Sequence, residues 1–252
     1  MRPDWPAPVG AWCSERTGGV STGPFDSLNL GTAVGDEATA VAENRRRFAA
    51  ALGGAQPVWL RQVHGHHVLR LTADHLAPAP PDAHPDAHLE ADAAWTDEPG
   101  IACTVQVADC LPVLFAAPDG RGVAAAHAGW RGLAGGVLNR TAAALCEGTG
   151  VEPASLQAWL GPCIGPEAFE VGPEVRAAFE ADAVHLRYQP RPDGDPRWRA
   201  DLAALARARL QRLGLVQICG GGWCTVSTPS RFFSYRRDGR TGRFAAAVWR
   251  RR

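Results

Sequence analysis

Three residues of metal-binding type lie in short, glycine-bearing or strand-end segments: His64 in QVHG, Cys110 in ADC and His127 in HAGWRG. Two imidazoles and a thiolate suit a borderline-soft divalent ion, zinc first, with copper able to compete on affinity. Three protein ligands leave one tetrahedral position open, and an open position marks a catalytic zinc, because it takes water or substrate. The same side chains admit two other readings. Cys110 could be a nucleophile with His127 as its base, attacking an amide such as one in a peptidoglycan precursor. Both could also be interior residues, a buried thiol and a hydrogen-bonded imidazole. Spacing alone leaves these open, since ligands drawn from distant segments have no local signature.

Asp109, beside Cys110, is a candidate proton carrier, and equally a residue that orients a ligand histidine or a backbone turn. Every one of the 26 basic side chains is Arg. A Schiff-base lysine, a pyridoxal phosphate anchor and a P-loop lysine are therefore excluded. A phosphate would have to be gripped by arginine, by glycine-turn N–H groups or by the metal. Arg45 has a bland reading as a solvated helix-face charge beside Arg46 and Arg47, and Arg131 one as a guanidinium stacked on Trp130. His66, His67, His75, His84 and His88 are assigned to solvent. Cys219 and Cys224 lack a matching second pair, Cys163 is expected in a turn, and Cys13, Cys103 and Cys146 as small buried residues. Met1 is the only methionine, which removes the usual axial ligand of a blue-copper site.

These residues must be held by strand ends. PVWLRQVHGHHVLRLT alternates apolar and polar residues and predicts a half-buried strand or hairpin around His64. IACTVQV and LPVLFAA predict two strands flanking Ala108–Cys110, and GVAAAHAGWRG a small-residue strand ending in a glycine turn. A helix follows through LAGGVLNRTAAALCEG. LQAWLGPCIG, VQICGG and AAAVWR predict further strands, PEVRAAFEAD and DLAALARARLQRLG helices, the latter with Asp201 as N-cap and Gly214 as stop. Residues 77–92, rich in Pro, Ala and Asp, predict a surface loop. The irregular interleaving favours an α+β domain over a βαβ repeat.

At 252 residues, 46% apolar and 21% charged, the chain suits a single globular domain over 1–252. Zero net charge supplies no field to draw it onto nucleic acid or an anionic membrane. No window has the length of a membrane span and the first residues lack a signal-peptide pattern, so a cytoplasmic location is expected. The odd count of seven cysteines in a long chain is read as reduced thiols.

QVHG, ADCLPVLF and HAGWRGLAGGV together resemble the signature segments of the YfiH-like, laccase-domain family. The likeness continues through TGGVS, SLNLG, ENRRR, LGPCIGPEAFEVG and FFSYRRDGRTGR, in matching order over almost the whole chain. The resemblance implies one zinc on His64, Cys110 and His127, a part in activity for Arg45, and mixed central sheets with helices outside in αββα layers. It further implies phosphorolysis of adenosine, inosine and S-methyl-5'-thioadenosine to free base and sugar 1-phosphate, with adenosine deamination beside it. Nucleosides and phosphate would be the small-molecule partners, and for the phosphorolysis so implied Arg45 and Arg131 are the candidates to grip the phosphate. The older family label implies a copper-dependent oxidase of phenols, for which a coupled multi-copper site lacks enough paired histidines.

Overall fold

The computed structural model describes residues 1–3, 5, 9–77 and 89–251. In chain order its elements are β1 Val9–Cys13, α1 Ala38–Ala51, β2 Gln56–Val58, β3 Val68–Arg70, β4 Ala93–Thr96, β5 Ile101–Val107, β6 Leu111–Ala116 and β7 Val123–Ala128. There follow α2 Trp130–Ala134, α3 Val137–Thr149, β8 Gln157–Leu160, β9 Glu170–Val171, α4 Pro173–Ala178, β10 Leu186–Tyr188, β11 Trp198–Ala200, α5 Leu202–Arg212, β12 Gln217–Gly220, α6 Tyr235–Asp238 and β13 Phe244–Arg250.

Two mixed sheets carry the structure, one in the order β1-β13-β5-β2 and one in the order β12-β8-β6-β7-β4-β3; β10-β11-β9 form a small third. Side chains on a strand alternate between faces, so a strand buried on both sides reads as a continuous apolar run. LPVLFA of β6 is such a run: Leu111, Val113 and Phe115 pack with α3 and α5, while Leu114 and Ala116 face the other sheet. That other sheet contributes Val105 and Val107 of β5 and Phe244, Ala246 and Val248 of β13 to the shared core. Its outer face, through Ala102, Ala245 and Ala247, is covered by Phe48 and Leu52 at α1. The layers run helix, sheet, sheet, helix, as expected.

Three local expectations change. The segment around His64 is not a hairpin: β2 and β3 belong to different sheets, and residues 59–67 cross between them. The cause is that the N–H groups of Val63, His64 and Gly65 are taken by the Asp92 carboxylate, and so are withheld from any strand ladder. The helix after His127 is two, α2 and α3, broken where Gly136 adopts φ 88°. Cys146 is half-buried rather than buried. Of the low-complexity segment, residues 78–88 with His84 and His88 lie outside the described residues. Asp201 caps α5 by accepting the Ala204 N–H at 2.9 Å, and Gly214 follows at φ 94°. No helix among the described residues is long and apolar enough to cross a membrane.

Candidate metal centre

His64 and Cys110 both lie where the chain passes from one large sheet to the other, between β2 and β3 and between β5 and β6; His127 is the penultimate residue of β7. Tight crossings need unusual backbone, and His64 (φ 61°) and Asp109 (φ 91°) are two of the few non-glycine residues with positive φ. Gln62, two residues before His64, donates its amide to the Gln106 carbonyl (2.9 Å) and accepts the Gln106 N–H (2.7 Å), fixing the His64 loop to the end of β5.

The three side chains converge. One ligand atom from each of His64, Cys110 and His127 lies within 4.8 Å of the others, and this is the one such group among the described residues. Cys110 Sγ is 3.7 Å from His64 Nε2, close to the edge of about 3.5 Å that a tetrahedron with usual zinc–nitrogen and zinc–sulfur bonds requires. The two imidazoles meet at 75° with centroids 4.8 Å apart. Gly129 borders the group: a Cβ there would stand 2.9 Å from His64 Cδ2 and 3.0 Å from Cys110 Sγ. Glycine at the turn of HAGWRG is therefore needed for space.

Asp92, expected at the end of a surface loop, is fully buried and organises the centre. Its Oδ1 lies 2.7 Å from His127 Nδ1. The carboxylate also accepts the N–H groups of Val63 (3.2 Å), His64 (2.9 Å) and Gly65 (2.6 Å). With Nδ1 so occupied, Nε2 is the nitrogen His127 offers to a metal, the usual carboxylate–histidine–metal order. Burial opposes the charge on each group, yet the pair interactions win. The Cys110 thiol falls below its ordinary range because of His127 and then His64. The His127 imidazole rises because of Cys110 and Asp92. The Asp92 carboxyl falls because of His127 and the backbone donors. A thiolate next to two histidines is the ligand form of cysteine.

The centre opens into a cavity of about 790 Å³, lined also by Gly31, Gln106, Trp130, Arg131, Tyr235 and Arg243, among others. Asp109 lines it with both oxygens engaged, Oδ1 by the Thr225 hydroxyl (2.5 Å) and Oδ2 by the Arg236 N–H (2.6 Å). Both of its oxygens are thereby occupied by protein donors. Arg131 lines the cavity with its guanidinium 4.3 Å over the Trp130 ring. Arg45 stands outside that lining: it covers the Trp59 ring at 4.2 Å and donates Nε to the Leu30 carbonyl at 2.9 Å. Arg243 also lines the cavity, though nothing in RTGR distinguishes it from the neighbouring arginines.

The family model for multi-copper polyphenol oxidoreductase laccases matches residues 10–251. The chain belongs to this family. Purine nucleoside phosphorylase PA4543 of Pseudomonas aeruginosa is 51% identical over 99% of the chain and 97% of its own length. Purine nucleoside phosphorylase YfiH of Escherichia coli is 49% identical over 98% and 97%. Among solved structures, Neisseria meningitidis protein NMB0706 superposes with TM-score 0.87 at 44% identity, covering 100% of this chain and 99% of that one. YlmD of Geobacillus stearothermophilus gives TM-score 0.88 at 33% identity, covering 98% and 93%. The family member described here thus shares its fold with proteins of near-equal length.

Proposed function

We propose that this protein is a metal-dependent purine nucleoside phosphorylase, taking adenosine, inosine and S-methyl-5'-thioadenosine with inorganic phosphate, and deaminating adenosine as a side activity. The observation that carries the proposal is the open His64–Cys110–His127 group at the wall of a cavity of about 790 Å³, a volume suited to a nucleoside with phosphate beside it. The names of the two relatives at about half identity support the reaction class.

Phosphorolysis breaks the bond from base nitrogen to sugar C1' and makes one from a phosphate oxygen to C1'; the base departs with a proton. Zinc on the three ligands would supply a Lewis acid with one open position. The chain's own part is to hold that position steady through Asp92, to bind the phosphate by arginine, and to bury the ribose and base. Trp130 and Tyr235 offer aromatic faces on the cavity wall for the purine. Asp109, committed to Thr225 and Arg236, acts by keeping Tyr235 and its neighbours at the rim. Arg45 acts through Leu30, which leads into the cavity-lining Gly31.

One observation favours a second reading. Cys110, His127 and Asp92 follow one another as nucleophile, base and orienting carboxylate do in a cysteine hydrolase. Copper-dependent oxidation of phenols has less behind it, because the one three-ligand group among the described residues is not a coupled multi-copper centre.

Incubating the metal-loaded protein with each nucleoside, with and without phosphate, and separating the products tests the proposal. Free base released only with phosphate is expected. Absence of nucleoside cleavage under both conditions overturns the phosphorylase reading.

A further inference from the structure

We propose that Arg243 is the anion anchor of the cavity and that inorganic phosphate is the ion it takes; the choice of ion rests on the phosphorylase reading. The cavity wall carries four arginines, Arg61, Arg131, Arg236 and Arg243, against one carboxylate, Asp109, in a chain of zero net charge. Asp109 is already satisfied by Thr225 and Arg236. A divalent ion on one thiolate would add to this positive balance.

Three of the arginines have other engagements. Arg61 is paired with Glu90 at 2.5 Å in an exposed bridge. Arg131 lies over Trp130 at 4.3 Å. Arg236 donates to the Glu170 carbonyl at 3.0 Å and sits 5.5 Å over the Phe169 ring. Arg243 differs from all of them. It is partly buried where the other three are exposed, and, like Arg131 and Arg236 but unlike Arg61, it has no carboxylate partner within 4.0 Å among the described residues. Nη1 donates to the Thr241 (3.1 Å) and Gly242 (3.0 Å) carbonyls, while the Nε–Nη2 edge has no protein acceptor among the described residues. That edge is the one that binds two oxygens of a phosphate side-on.

The residue is also rigidly placed. Its N–H donates to Asn29 Oδ1 at 2.8 Å, and its carbonyl accepts the Leu30 N–H at 2.9 Å. Asn29 Oδ1 accepts the Gly31 N–H as well, at 2.9 Å. A Cβ on Gly31 would stand 2.8 Å from Arg243 Cγ, so glycine in SLNLG leaves the room the side chain occupies. Burial works against the Arg243 charge. Cys110 and Asp109 offset that only in part through space, and an incoming anion in direct contact relieves the rest.

Phosphate binding measured by calorimetry on the metal-loaded wild type, Arg243→Gln and Arg243→Lys tests the assignment. At least a tenfold rise in phosphate Kd is expected for Arg243→Gln, with partial recovery in Arg243→Lys, which restores the charge without the fork. The KM for phosphate in nucleoside cleavage should rise in parallel. In the wild type, phosphate should protect Arg243 from phenylglyoxal, a readout that survives even if a variant misfolds. Wild-type phosphate affinity in folded Arg243→Gln, unchanged labelling of Arg243, or no phosphate binding by the wild type overturns the inference. If phosphate binds through Arg243 yet no nucleoside is cleaved, the anion site stands and the phosphorylase reading falls.

Discussion

Asp92 Oδ1 stands 2.7 Å from His127 Nδ1 while the same carboxylate gathers the three N–H groups of residues 63–65. One buried side chain thus engages the ring of one candidate ligand and the backbone of another, and links β7 to the loop that crosses between the sheets. Asp92→Asn replaces an all-acceptor group by one that points an NH2 at existing donors. Chelator competition should show metal affinity reduced by about 10- to 100-fold, and thermal melts a loss of roughly 2–4 kcal/mol from the broken buried network. Unchanged metal affinity in the variant would remove Asp92 from the centre.

Gly129 has backbone angles that alanine tolerates, φ −64° and ψ 160°, so its substitution probes space alone. The added methyl meets His64 Cδ2 at 2.9 Å and Cys110 Sγ at 3.0 Å. Gly129→Ala is expected to fold with near-native circular dichroism yet bind metal at least tenfold more weakly, by displacing ligands from their tetrahedral places. Weakened metal binding with undiminished activity would show that the ligand cluster is not the working site.

Away from the centre, Asp182 is 3% exposed and grips Arg212 at 2.6 and 3.0 Å, with Arg209 Nε at 3.5 Å. The Arg212 hydrogen bonds hold its carboxyl below the ordinary range, against the opposing effect of burial. A depressed folded-state pKa contributes stability that is present above the unfolded value of about 4 and is lost as pH falls through the folded one. Asp182→Asn should cost roughly 1–3 kcal/mol at neutral pH. Urea midpoints should converge with wild type as the pH drops below about 4. A gap that stays constant from neutral to acid pH would contradict the ion pairing.

Much of this was legible because the chemistry sits in short words of sequence. His64, Cys110 and His127 stand in segments whose glycines and flanking apolar runs announce strand ends, and Asp201 announces the start of α5. The two-sided burial of β6 was legible as an unbroken apolar run. What was hidden depends on long-range pairing. Asp92 closes a low-complexity stretch, and only the fold brings it beneath residues 63–65. The hairpin expected around His64 fails for the same reason, since its alternation is real but its N–H groups go to a carboxylate from 27 to 29 residues away. Arg45 attracts attention by resemblance, whereas the fold turns it to Trp59 and Leu30 and puts Arg243 at the cavity wall. Nothing in a chain whose bases are all arginine could rank them.

On the proposed reading, one metal on His64, Cys110 and His127 sustains phosphate-dependent nucleoside cleavage. That reading is tested most directly by stripping the protein with chelator and following base release from inosine as zinc is added back. Activity should vanish on stripping, return in full at about one zinc per chain, and stay absent at every zinc level in Cys110→Ser. Undiminished phosphate-dependent turnover by the stripped protein, or by Cys110→Ser, would show that the reaction needs neither the metal nor the thiolate.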